Sequence, residues 1–252
     1  MRGYLFSDMK RAFFSWKFLA AVFGTVMAFC FFEQKPSEIY PIVNAYHSNI
    51  YAIHMLLCFV FCMLPYGDGM CQDVECRFYQ SLIIRGKTLY YVLSKAFTIF
   101  LSSGMVMVLG TVFYILIIRI QYPEAPWSAG TYEGMAFDEF ISNGMYGVYI
   151  LLCGLKMGCL TGILGMVGAV VSMYIANRLM VFSLPIISFY MLNWVSQIIF
   201  MPYKFYDAFD PLREIGETTL ISALFSIAVI VCCFFIFTAI MNWQIKRRLS
   251  DG

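Results

Sequence analysis

The chain has 252 residues, 61% of them hydrophobic and only 13% charged, with a formal net charge of +2. A soluble domain carries about 25% charged residues, so a water-soluble core is excluded and the class is an all-α polytopic membrane protein. No separate soluble domain or low-complexity tract is visible, and no nucleic-acid partner is expected.

In chain order, residues 4–17 place Leu5, Met9, Phe13 and Trp16 on one helical face, with Asp8, Lys10, Arg11 and Lys17 off it. This is the pattern of an interfacial amphipathic helix. A signal peptide is disfavoured, because no small-x-small cleavage site follows and Phe29 spoils a lipoprotein site at Cys30. Six spans are expected: 18–32, 49–65 with Ala45 as an alternative start, 96–118, 146–175, 179–201 with a kink at Pro185, and 220–243. Loops 33–48, 119–146 and 202–219 lie on one side, and 132–141 reads as a short amphipathic helix. The segment 66–95 and the turn at Asn177-Arg178 lie on the other side. Twelve of the 17 Lys and Arg fall on the side of the termini and four on the opposite side, with Lys156 inside the fourth span. The basic excess places both termini in the cytosol of a multi-pass protein, here assigned to a bacterial plasma membrane.

The longest polar stretch on the cytosolic side is 66–95. A helix over Gln72–Ile84 would carry Val74, Phe78 and Leu82 as an apolar stripe, with Asp73, Arg77 and Gln80 opposite. Such a helix between spans lies along the membrane or docks on a partner. Ser81 to Thr88 nearly fits a phosphate-binding loop, but Ser81 stands where glycine is needed and no strand precedes it, so the chain has no ATPase of its own.

Within the fourth span Gly154, Gly158 and Gly162 recur every four residues, the spacing of close helix contact. The seam reads as tight packing, or alternatively as a surface that slides during transport. Lys156 beside it is a candidate for a substrate path, or a snorkelling or paired cation. No Asp or Glu is expected in an apolar core, which argues against a proton-coupled carrier. His47 and His54 are expected on one face of the second span as packing residues. Nine Cys are expected as free thiols, with Cys71-x4-Cys76 a poor zinc site, so no metal is expected. No protease motif is present. The outer loops hold ten carboxylates.

The layout resembles the membrane subunit of a type-two ABC transporter, an exporter-like permease. Glu75-x-Arg77, Leu82, Arg85 and Lys95 are similar to that family's coupling helix and the lysine opening its third span. Phe78-Tyr79-Gln80 and Ile84-Arg85-Gly86 depart from its usual sequence. The resemblance implies that Asp73, Glu75, Arg77, Phe78, Leu82, Arg85 and Lys87 form the ATPase-coupling segment. Asp73, Glu75 and Arg77 would face the ATPase while Leu82 packs under the bundle. It implies cytosolic ABC ATPase subunits that bind ATP and Mg, a second permease subunit, and no cofactor on this chain. The cargo would be a lipid, peptide antibiotic or other amphiphile moved outward. The alternative is a self-sufficient channel or secondary transporter with six spans.

Overall fold

The computed structural model describes residues 2–31, 36–37, 41–51, 53–76, 88–128, 135–199, 205–210, 213 and 219–250. Among them every regular element is helical: α1 (Arg2–Phe13), α2 (Trp16–Phe31), α3 (Ile42–Tyr51), α4 (Met55–Met63), α5 (Gly69–Glu75), α6 (Thr88–Gln121), α7 (Asp138–Ser142), α8 (Tyr146–Ser172), α9 (Arg178–Ile199), a 3-10 turn (Phe205–Ala208) and α10 (Thr219–Ser250). Four of these, α6, α8, α9 and α10, are each long and apolar enough to cross a membrane, and the number rises to six if each of two bent pairs counts as one span.

The first bent pair is α1 and α2, which meet at 51°. Ser15 makes the corner. Its Oγ accepts the Phe18 N–H at 3.3 Å and donates to the Ala12 carbonyl at 3.0 Å. One side chain thereby closes α1 and caps α2, because the first N–H groups of a helix need an outside acceptor.

The second bent pair departs from expectation. In place of one helix over 49–65, α3 and α4 bend by 72° through a turn at Ile53-His54. The helix also starts at Ile42, inside what reads in sequence as a loop. Its polar residues are matched by tyrosines elsewhere in the bundle. The Asn49 amide donates to the Tyr114 hydroxyl at 2.5 Å, and His47 Nε2 lies 2.7 Å from the Tyr149 hydroxyl. A polar helix enters an apolar bundle when its hydrogen bonds are made there. His54 sits in the turn, edge-on to Phe29, so the two histidines do not share one helix. The ends of the pair lie at opposite ends of α6. Ile42 and Val43 donate backbone bonds to Pro126 and Trp127, just past its C-terminus, while Tyr66 meets Lys95 near its N-terminus.

At the centre, α6 packs on α8. Buried positions make up 56% and 72% of their most apolar windows, against 22% and 17% for α9 and α10, so the first two are the core and the last two its periphery. At the crossing, a Cβ on Gly158 would stand 2.8 Å from the Gly104 carbonyl oxygen, and one on Gly104 would stand 3.1 Å from the Gly158 oxygen. The two backbones touch where neither has a side chain. Gly162 is covered by Phe100, and Gly154 faces Thr111. Thr161 Oγ1 donates to the Ser103 carbonyl at 3.3 Å, a polar link across the same seam.

Smaller differences from the sequence reading follow from capping. The short helix expected at 132–141 is α7, and it starts at Asp138 behind Phe137, which has a left-handed backbone (φ 67°). Asn177 Oδ1 accepts the Leu179 N–H at 3.0 Å and starts α9, which runs through Pro185 as one element. The basic tail is helical to Ser250, with Arg248 bonded to the Met173 carbonyl.

Replacing Gly158 with Leu forces the α6–α8 backbones apart. Overpacking costs about 1–3 kcal/mol, and more where backbone is the obstacle. The melting temperature in detergent is expected to fall clearly for Gly158→Leu and to stay unchanged for Gly147→Leu, where a Cβ meets nothing within 4 Å.

Candidate functional site

At the end of the bundle where α1, α5 and α6 meet, a group of charged and phenolic side chains is shut away from solvent. Lys95 of α6 is 1% exposed, and Asp8 of α1 and Asp73 of α5 are nearly as buried. The spacing Tyr91, Ser94, Lys95 puts three polar groups on one face of α6. Lys95 Nζ donates to the Tyr66 hydroxyl oxygen at 2.6 Å and lies 2.8 Å from Asp73 Oδ2 and 3.1 Å from Asp8 Oδ1. An ammonium has three protons to give, and these three oxygens take them.

The carboxylates are supplied in turn. Asp8 Oδ1 accepts the Tyr66 hydroxyl proton, and its Oδ2 accepts from Ser94 Oγ at 2.8 Å. Asp73 Oδ2 accepts from the Tyr91 hydroxyl at 2.6 Å. The ammonium also stands 4.9 Å from the centre of the Tyr66 ring. Burial, then the charge of Asp8, push the Tyr66 phenol well above its ordinary range, so it stays a proton donor at any physiological pH. Full pairing makes this burial tolerable, because an isolated buried charge would be neutralised instead.

Two ion pairs flank the core. Lys17 of α2 meets Asp68 Oδ2 at 3.1 Å, and Gln72 donates to the same oxygen at 2.6 Å. Arg178 at the start of α9 reaches Glu75 Oε2 with Nε at 3.2 Å and Nη2 at 2.9 Å. The short helix α5 is thus held to α6 through Asp73 and to α9 through Glu75, and the residue before it, Asp68, ties it to α2; α1 joins through Asp8 on the same Lys95. The outer pairs are partly solvated and contribute little, as exposed ion pairs do; the buried group carries the hold.

These positions correct the sequence reading in two ways. Asp73 does not face outward. It turns into the Lys95 cluster, since α5 begins at Gly69 rather than at Gln72 and ends at Glu75. Buried carboxylates, expected to be lacking, are present in Asp8 and Asp73. Glu75 stays at the surface, about one-third exposed. Arg77, Phe78, Leu82, Arg85 and Lys87 lie outside the described residues. Asp8, Tyr66, Tyr91 and Ser94 were not singled out from the sequence, although the spacing of Tyr91, Ser94 and Lys95 carried a signal.

Cys71 and Cys76 part company. Cys71 is buried and Cys76 exposed. Burial, with Glu75 beside it, pushes the Cys71 thiol up to about 11. A thiol that holds its proton is a poor metal ligand and a poor nucleophile, and no group of three metal-binding side chains occurs among the described residues.

At the far end, Lys156 is buried in α8. Its Nζ donates to the Asp210 carbonyl at 3.1 Å and lies 5.2 Å from the centre of the Phe137 ring. The 3-10 turn before Asp210 is tied to α9, where the Tyr206 and Phe205 N–H groups donate to Asn193 Oδ1 and Ser196 Oγ. Lys156 therefore fastens the cap at this end to the core.

No family model, no curated protein and no solved structure matches this chain.

Removing the ammonium leaves two carboxylates facing each other in the dark. Breaking a buried pair in this way costs about 3–5 kcal/mol, so Lys95→Met is expected to unfold at markedly lower temperature, with part of the loss recovered by adding Asp73→Asn. In chains that keep only Cys71 or only Cys76, maleimide at pH 8 is expected to react far more slowly at the buried Cys71, and that gap should narrow as pH rises towards 11.

Proposed function

We propose that this chain is the membrane-spanning permease subunit of an ATP-driven exporter, coupled to a separate cytosolic ABC ATPase. In this reading the two bent pairs each count as one crossing, giving six spans with both termini in the cytosol of a bacterial plasma membrane. The observation that carries it is the anchoring of α5. The segment joining the second and third spans starts with a helix bound to α2, α6 and α9 through Asp68, Asp73 and Glu75. A force applied to the polar stretch 77–87 that follows would reach three helices directly and α1 through the shared Lys95. A transmitter needs a stiff joint of this kind, and a surface loop does not.

The ATPase would bind ATP and Mg and meet Glu75, Arg77, Phe78, Leu82, Arg85 and Lys87. Asp73 would hold the joint from within. A second permease subunit would complete the path, since α9 and α10 present largely exposed apolar faces, including Ile187, Met191, Leu224 and Phe235. Rigid-body rocking of two bundles would alternate access. Cargo would be a lipid, a peptide antibiotic or another amphiphile.

A second reading, a self-sufficient channel or secondary transporter, gains support from one observation: Asp8 and Asp73 are buried carboxylates of the type ion-coupled carriers use. Their saturation by Lys95, Ser94 and two phenols weighs against it, because a proton carrier needs an acid free to change state.

Glu75 and Arg178 separate docking from local pairing. Glu75→Lys breaks the pair; Glu75→Lys with Arg178→Glu rebuilds it in reverse. Both are expected to lower recovery of a co-purifying ATPase subunit about tenfold, the worth of one charge-assisted contact, while only the double variant regains wild-type thermal stability. If the double variant recovers ATPase at the wild-type level, Glu75 serves the fold alone. If the purified chain moves solute in vesicles without nucleotide or companion, the permease reading falls and the carrier reading replaces it.

A further inference from the structure

The lipid-facing side of α6 is furrowed along most of its length. Leu101, Met105, Leu109, Phe113 and Ile117 recur every fourth residue and form one stripe. Near Lys95 the stripe is the floor of a cavity of about 670 Å³, with Phe6, Phe13 and Phe14 as its wall. Further along it is the floor of a second cavity of about 690 Å³, walled by residues of α2 that include Phe18, Val22 and Val26. The corner at Ser15 sets the join between them, since the wall passes from α1 to α2 there. From Leu101 to Ile117 the stripe covers about 24 Å, most of the ~30 Å hydrocarbon thickness of a bilayer.

One charged residue lines either cavity, Lys10, at the Lys95 end. Of the other cations nearby, Lys17 is engaged with Asp68 and Lys95 in its buried cluster, and Arg11, exposed at the next position of α1, lines neither cavity. Lys10 is exposed and makes no ion pair among the described residues. Apolar walls alone would not distinguish one lipid from another, since lipid tails are as apolar as leucine. A cation lining the mouth of an apolar furrow does distinguish them.

We propose that this furrow is a binding site for a phospholipid with an anionic headgroup, its acyl chain lying along the α6 stripe and its phosphate against Lys10. The site belongs to this single chain and stands whether or not the chain couples to an ATPase.

Native mass spectrometry of the full chain, titrated with phosphatidylglycerol and phosphatidylcholine of identical acyl chains, tests the proposal. Wild type is expected to retain phosphatidylglycerol about fivefold better, the worth of one lysine beside an anionic headgroup. Lys10→Gln should bring the two lipids level. Met105→Trp should lose both, while Leu224→Trp on the exposed face of α10 should change neither. A second measurement leaves Lys10 and Met105 in place: in a chain that keeps Trp16 as its only tryptophan, lipids brominated in the acyl chain should quench it more strongly with phosphatidylglycerol than with phosphatidylcholine. Equal retention of the two lipids by wild type with equal quenching in the Trp16-only chain, or unchanged retention by folded Met105→Trp, overturns the site.

Discussion

The ammonium of Lys95 is the point on which this bundle turns. An isolated cation in such a place would lose its proton or draw in water. Here it meets one hydroxyl and two carboxylates, from α1, from the segment after α4 and from α5, parts of the chain lying 87, 29 and 22 residues away by numbering. A salt bridge that breaks even against apolar replacement adds little net stability. It gives a defined arrangement: the placement of α1 and α5 satisfies the three protons of Lys95 and the hydroxyls of Tyr66, Tyr91 and Ser94 together. Greasy packing at the same place would tolerate several.

The legible part of this chain is the part governed by long apolar runs. The cores of α6, α8, α9 and α10 stand out because about 20 apolar residues have no other use, and the glycine spacing on α8 already marks the face turned to α6. What escaped the sequence depends on partners distant in the chain. The helix α3 reads as loop because Asn44, His47, Ser48 and Asn49 count as polar. Two of them become compatible with the bundle only through Tyr149 and Tyr114, which lie 102 and 65 residues away. Asp8 and Asp73 read as surface charges for the same reason. Their burial depends on Lys95, and periodicity within one helix cannot reveal a partner on another.

The α6–α8 seam bears on how such a bundle moves. A smooth stripe of small residues would permit one helix to slide along the other by a turn. This seam is notched instead. Gly158 receives the Gly104 carbonyl, Gly162 lies under Phe100, and Val108 approaches the Gly158 position from the next turn. A shift of one helical turn would bring Phe100 or Val108 to the place of Gly104, where there is room for no side chain. Thr161 adds a hydrogen bond that sliding would break. Packed interfaces of this kind shift between discrete arrangements rather than deform continuously, and here the neighbouring arrangement is sterically closed. The core pair therefore moves as one body. Change of shape is left to the places where the chain already bends, at Ser15 and at Ile53-His54, and to α9 and α10, which touch the core over the smallest part of their surface. Since α5 is bonded to both the core, through Lys95, and the periphery, through Arg178, it lies across the boundary between them.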